Sequence, residues 1–212
     1  IRDALRELEK GKVRPVLLLV GSETLLIERA VAAAKAATVG DQGVAGFNED
    51  LFQGDQTEGQ TVANAARTMP MMADKRFVLV RRVDKMKGDS HGVLAGYLKN
   101  PAPESCVVLV AKKLDGNGKL SRAAKKEGCR FDAKALKLGA VRQLAVSEAK
   151  AKGHQLPSDA AHALVDAVGE DLSAMGDALE RLSLYVGPGQ RIDLAAVEAT
   201  VSRIRVDTVW QL

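Results

Sequence analysis

Gly21 follows an apolar run, Val16 to Val20, and precedes a stretch of helical character, Glu23 to Ala37. Strand, glycine turn and helix in that order can cradle phosphate, because bare amides and the helix dipole face the anion. The chemistry needs the pattern Gly-x-x-x-x-Gly-Lys-Ser/Thr, whose lysine holds the phosphates and whose hydroxyl holds magnesium. Counting from Gly21, the last three places hold Leu26, Ile27 and Glu28. Glu23 also puts negative charge where a phosphate would sit. A phosphate-loop hydrolase further needs an acidic metal ligand after an apolar strand. After Phe77 to Val80 this chain offers Arg81 and Arg82, which would repel magnesium. The expectation is phosphate-loop architecture without its chemistry, with no nucleotide cofactor, no metal and no catalytic residue.

Other chemical constellations are sparse. Cys106 and Cys129 are too few for a four-ligand zinc site and read as buried thiols in strands. His91, His154 and His162 fall in separate predicted elements, none with a helical partner four residues on. Ser121-Arg122 and Ser202-Arg203 read as solvated helix positions rather than arginine fingers.

Two stretches suggest binding. Met69-Pro70-Met71-Met72 lies between a helix and a strand, where polar turn residues are expected. Pro70 stiffens the approach, and unbranched thioethers adapt to an apolar pocket on a partner. The alternative is that these methionines plug the end of the core. Residues 112–137 hold nine Lys or Arg against three Asp or Glu, a net +6 in a chain of net +4. Lys119, Arg122, Lys125 and Lys126 within it form a candidate face for a phosphate backbone. A solvated helix face is the simpler and favoured reading, and stacking aromatics are absent apart from Phe131.

The elements around these residues alternate. Short apolar runs at 16–20, 77–80 and 106–110, with weaker ones at 45–52 and 129–131, are separated by amphipathic stretches. That alternation predicts an α/β domain, a mostly parallel sheet covered by helices on both faces. From 140 onward only helical patterns remain. Ser158 and Asp193 are expected caps, and Ala161, Leu164, Val165 and Val168 form one apolar stripe. The domain boundary is expected near 138–142, giving an α/β domain over 1–139 and a small all-helical domain over 140–206. The chain begins with Ile, and 207–212 looks like the first turn of another helix, so a longer protein is expected.

Hydrophobic residues at 46% and charged residues at 27% are ordinary for a globular chain and argue against disorder. No signal peptide is evident and no apolar run approaches the ~18 residues of a membrane span. A cytoplasmic location without membrane contact is the default.

Taken together, the residues resemble the delta subunits of the bacterial DNA polymerase III clamp loader. The resemblance rests on Gly21-Ser22-Glu23-Thr24-Leu25-Leu26-Ile27-Glu28-Arg29-Ala30, Arg67-Thr68-Met69-Pro70-Met71-Met72, and Arg76 to Arg82. Lys112-Lys113-Leu114 and Ala178-Leu179-Glu180-Arg181-Leu182-Ser183-Leu184-Tyr185 extend it. It implies an AAA+-like three-layer domain with a degenerate phosphate loop, then a helical lid-type domain. A C-terminal collar domain would begin at about 207–212. It also implies a non-catalytic subunit of the polymerase holoenzyme, a nucleotidyltransferase complex acting in DNA replication. Its partners would be the sliding clamp, the other loader subunits in a hetero-pentamer, and primer-template DNA through the complex. The family contacts the clamp through a hydrophobic pair after the second helix of the first domain. Met71 and Met72 match that pair by position, with Pro70 before them. The family often has Leu-Phe or other bulky residues there, so this chain keeps apolar character and lacks the aromatic. The alternatives are a degenerate AAA+ adaptor in another assembly and an NTPase with an unusual phosphate loop.

Overall fold

The structure is a computed structural model that describes residues 1–40, 46–71 and 73–200. Met72, Val201, Ser202, Arg203, Ile204 and the 207–212 stretch lie outside the described residues.

The first compact unit covers Ile1–Lys134. Its sheet has five parallel strands in the order β2-β3-β4-β1-β5, namely Val16–Gly21 (β1), Glu49–Gln53 (β2), Arg76–Arg81 (β3), Ser105–Ala111 (β4) and Arg130–Ala133 (β5). β1, β3 and β4 hold the centre, which is why they are apolar on both faces. Val16, Leu18 and Val20 turn to one face, with Val78, Val80, Val107 and Leu109. There they meet helices α3 (Gly59–Arg67), α4 (Ser90–Tyr97) and α5 (Lys119–Lys126) through Val62, Leu94 and Leu120. Leu17, Leu19, Phe77 and Val108 turn to the other face, under α1 (Arg2–Glu9) and α2 (Thr24–Val39). The result is a three-layer α/β/α arrangement in which the period-two alternation of each strand feeds two separate cores.

β2 is an edge strand, shorter than the expected 45–52, and Phe47 before it is exposed. Ser22 does not cap α2: the helix begins after Glu23 with no side-chain cap, and the Ser22 carbonyl instead accepts from Thr24 Oγ1 at 3.5 Å. Gly21 is required where it stands. Its φ is +154°, and a Cβ there would lie 2.0 Å from the Ala133 carbonyl oxygen.

The second unit runs from Ala135 and is helical, with α6 (Leu138–Ala151), α7 (Ser158–Val168) and α8 (Leu172–Val186), then helical residues 194–200. Val141, Ala145, Leu164, Met175, Leu179 and Leu182 are buried. Ser158 makes no cap bond, because α7 starts at Ser158 itself and Pro157 occupies the cap position. Asp171 caps α8 by accepting from Ser173 and Ala174 N–H, and Asp193 Oδ1 accepts from Ala196 N–H at 2.9 Å. His154 is buried and bonds the Gln190 carbonyl at 2.8 Å and the Ser183 hydroxyl at 2.7 Å, tying the chain after α6 to α8. Among the described residues no helix is long and apolar enough to cross a membrane.

Candidate functional site

In an open parallel sheet, ligands bind beyond the carboxyl ends of the strands. Here a cleft of about 480 Å³ opens there, lined by Gly21, Ser22, Glu28, Arg81, Arg82 and Lys112 among others. Leu26 and Ile27, at two of the three phosphate-loop places, are buried residues of α2 itself. Glu28, at the third, reaches across to the end of β3. Arg81 Nη1 and Nη2 donate to its two carboxylate oxygens at 2.5 and 2.7 Å, a bidentate fork. The Arg81 bonds hold the Glu28 carboxyl below its ordinary range, and the same bonds raise the guanidinium. Arg82, in the left-handed region at φ 56°, donates to Asp55 at 2.9 Å. Glu28 and Arg81 thus neutralise each other within the cleft, and Arg82 is paired with Asp55.

The thiols add no reactivity. Burial pushes both Cys106 and Cys129 up to about 11, so neither is a thiolate near neutral pH. Cys106 lies in β4, and Cys129 sits one residue before β5. Each histidine has its own surroundings: His91 bonds the Val83 carbonyl, His154 is enclosed in the helical unit, and His162 is exposed on α7.

The described methionines, Met69 and Met71, lie with Pro70 between α3 and β3, and the segments on either side are tied down. On the α3 side, the Arg67 guanidinium lies 5.0 Å from the centroid of the Tyr97 ring, and the Ala66 carbonyl accepts from the buried Ser105 hydroxyl at 2.7 Å. On the β3 side, Arg76 donates to Asp50 at 2.7 Å and to the Phe47 carbonyl at 3.3 Å. Between them, the buried Asn48 side chain grips the Met71 main chain in both directions. Met69 is 67% exposed and Met71 58% exposed, with Pro70 half-buried between them. Neither of these two methionines plugs the core. Phe47, 56% exposed, precedes Asn48.

The basic candidates share α5. Lys119, Arg122, Lys125 and Lys126 are all exposed. Lys119 pairs with Asp89 at 2.9 Å, and Lys125 donates to the Gly116 carbonyl at 3.2 Å. Sequence reasoning gave no role to Asn48 or Arg76: Asn48 stands just before the edge strand β2 and Arg76 opens the central strand β3, and a polar residue at either place has no periodic signal. The only hint was that both flank apolar stretches in an otherwise charged neighbourhood.

Comparisons with known proteins agree with this geometry. The sequence model of the family described as DNA polymerase III, delta subunit, matches residues 17–134. The DNA polymerase III subunit delta of Bacillus subtilis is 30% identical over 220 residues, covering 99% of this chain and 63% of its own length. The solved Bacillus subtilis DNA clamp loader delta protein superposes with a TM-score of 0.79 at 29% identity, covering 93% of this chain and 61% of that one. Thermotoga maritima RuvB, as its P216G mutant, shares the fold alone, with a TM-score of 0.53 at 12% identity, covering 96% of this chain and 68% of its own. The chain thus spans somewhat under two thirds of the delta proteins it matches. With an AAA+-like sheet, a family match over more than half its residues and that level of identity along nearly all of them, this chain belongs to the DNA polymerase III delta subunit family.

Proposed function

We propose that this chain is a non-catalytic subunit of a clamp loader, which binds the sliding clamp and favours its open form during DNA replication. The observation that carries the reading is Met71: an apolar side chain left in solvent at a residue whose main chain is held in both directions by Asn48. Met71 and Met72 enter a pocket on the clamp, and Pro70 sets their approach. Thioethers suit such a pocket because they repack at small cost. The Glu28–Arg81 pair supports the absence of ATPase chemistry in this subunit. Neighbouring loader subunits would then supply the nucleotide-dependent step, and contact with primer-template DNA would come through the assembled hetero-pentamer. The α/β domain carries the clamp contact, the helical unit is a lid-type domain, and the protein acts in the cytoplasm.

The test is the double substitution Met71→Ala, Met72→Ala, assayed for binding to the purified clamp ring. Burying a Met side chain is worth about 1.5–3 kcal/mol. Incomplete burial of both puts the loss on the order of 3 kcal/mol, roughly a hundredfold in affinity. Met71→Ala alone is expected to leave the melting temperature nearly unchanged, since an exposed truncation stays within about 0.5 kcal/mol. Undiminished clamp binding by the double mutant would remove this loop from the mechanism.

A further inference from the structure

Asn48 does more than satisfy itself. It is 5% exposed, and its side-chain amide closes a two-bond ring on one residue of the methionine loop. Met71 N–H donates to Oδ1 at 2.7 Å, and Nδ2 donates to the Met71 carbonyl at 2.8 Å. The loop lies outside any helix or strand, so the amide does what a neighbouring strand would do. Asn48 itself is anchored: its carbonyl accepts from Phe77 N–H at 2.8 Å at the start of β3. Arg76, almost as buried, holds the residues on either side through Phe47 and Asp50. An order set by the sheet therefore passes through one side chain to the main chain of Met71. Its thioether stays in solvent.

We propose that Asn48 is the positioning residue of the clamp contact: it fixes the Met71 main chain so that the side chain is presented before the partner arrives. This rests on the reading of the methionine loop given above. A loop ordered in advance loses less conformational entropy on binding, and that saving appears as affinity. Removing the amide leaves the Met71 thioether intact but frees its direction.

The experiment is a double-mutant cycle in the full chain, with affinity for the purified clamp ring and melting temperature read on each protein. Asn48→Ala is expected to weaken clamp binding about tenfold. Because Asn48 acts through Met71, adding Asn48→Ala to Met71→Ala is expected to cost less than about a further twofold. Independent, multiplying losses would overturn the proposal, as would wild-type affinity in Asn48→Ala. If Asn48→Ala does not fold, Asn48→Asp takes its place in the cycle, keeping the acceptor for Met71 N–H and losing the donor. Failure of both to fold makes Asn48 a stability residue and overturns the positioning role. Unchanged affinity in Met71→Ala itself would instead bring down the reading of the loop, a separate outcome visible in the same four proteins.

Discussion

Glu28 stands where a phosphate loop carries its magnesium-binding hydroxyl, Arg81 where the sheet would carry an acidic metal ligand, and the two bond each other. That pair makes two predictions at the scale of the residue. ATP is expected to bind no tighter than about 1 mM, the level of roughly −4 kcal/mol. Calorimetry that finds a micromolar site would restore the NTPase alternative. The second concerns pH. Arg81 lowers the Glu28 carboxyl from its ordinary value of 4.5 in the folded state. The pair's stabilisation is therefore present above pH 4.5 and is lost as pH falls through the lower, folded value. Both side chains are at least a third exposed, so the pair contributes no more than about 1 kcal/mol. Glu28→Gln is expected to lower the urea midpoint slightly at pH 7 and to fall less far behind the parent at pH 3. An equal gap at both values would mean the charge plays no part.

At the scale of the element, the turn from β1 into α2 is set by a close approach of two backbones. β1 and β5 are parallel neighbours in register at Gly21 and Ala133. The Glu23 N–H donates to the Ala133 carbonyl at 3.2 Å, so the same oxygen that would meet a Cβ on Gly21 also holds the start of α2. Gly21→Ala must push β5 away and break that bond. A loss of about 3 kcal/mol or more is expected from backbone strain and displaced packing together. Thermal unfolding of the variant checks it, and a melting temperature equal to the parent's would show that the strand end yields freely. Gly11, with open space around its missing Cβ, offers a control position in which only φ opposes a side chain.

At the scale of the whole molecule, two units meet at Lys134 and Ala135. Residues 134–137 form no helix or strand, and Lys134 and Lys137 are exposed. Each unit has its own buried residues, so opening the connection need not disturb either core. Brief trypsin treatment is expected to cut first after Lys134 or Lys137 and to leave a stable fragment ending there. A first cut inside the sheet or inside α6 to α8 would contradict the division. The methionine loop proposed above to meet the clamp belongs to the first unit, so under that proposal the fragment is expected to bind the clamp as the parent does.

The central strands were legible in the sequence because strands buried on both faces must be apolar throughout, and β1, β3 and β4 are. The departure from the phosphate-loop motif was legible too, since the motif depends on residue types at fixed spacing, and Leu26, Ile27 and Glu28 do not match it. Caps were less so. Ser22 and Ser158 have the right side chain for a cap, but each helix starts one residue away from where that side chain could accept. The pairing of Glu28 with Arg81 needed the tertiary structure, because 53 residues separate them and only the β1–β4–β3 order brings α2 over the end of β3. The same holds for Met71. Its sequence left open a core plug or an exposed contact, two readings with the same composition. Asn48, 23 residues earlier, fixed the main chain and left the Met71 side chain in water. A long-range hydrogen bond from a side chain to a main chain depends on where a register brings two segments together, and no local pattern encodes that.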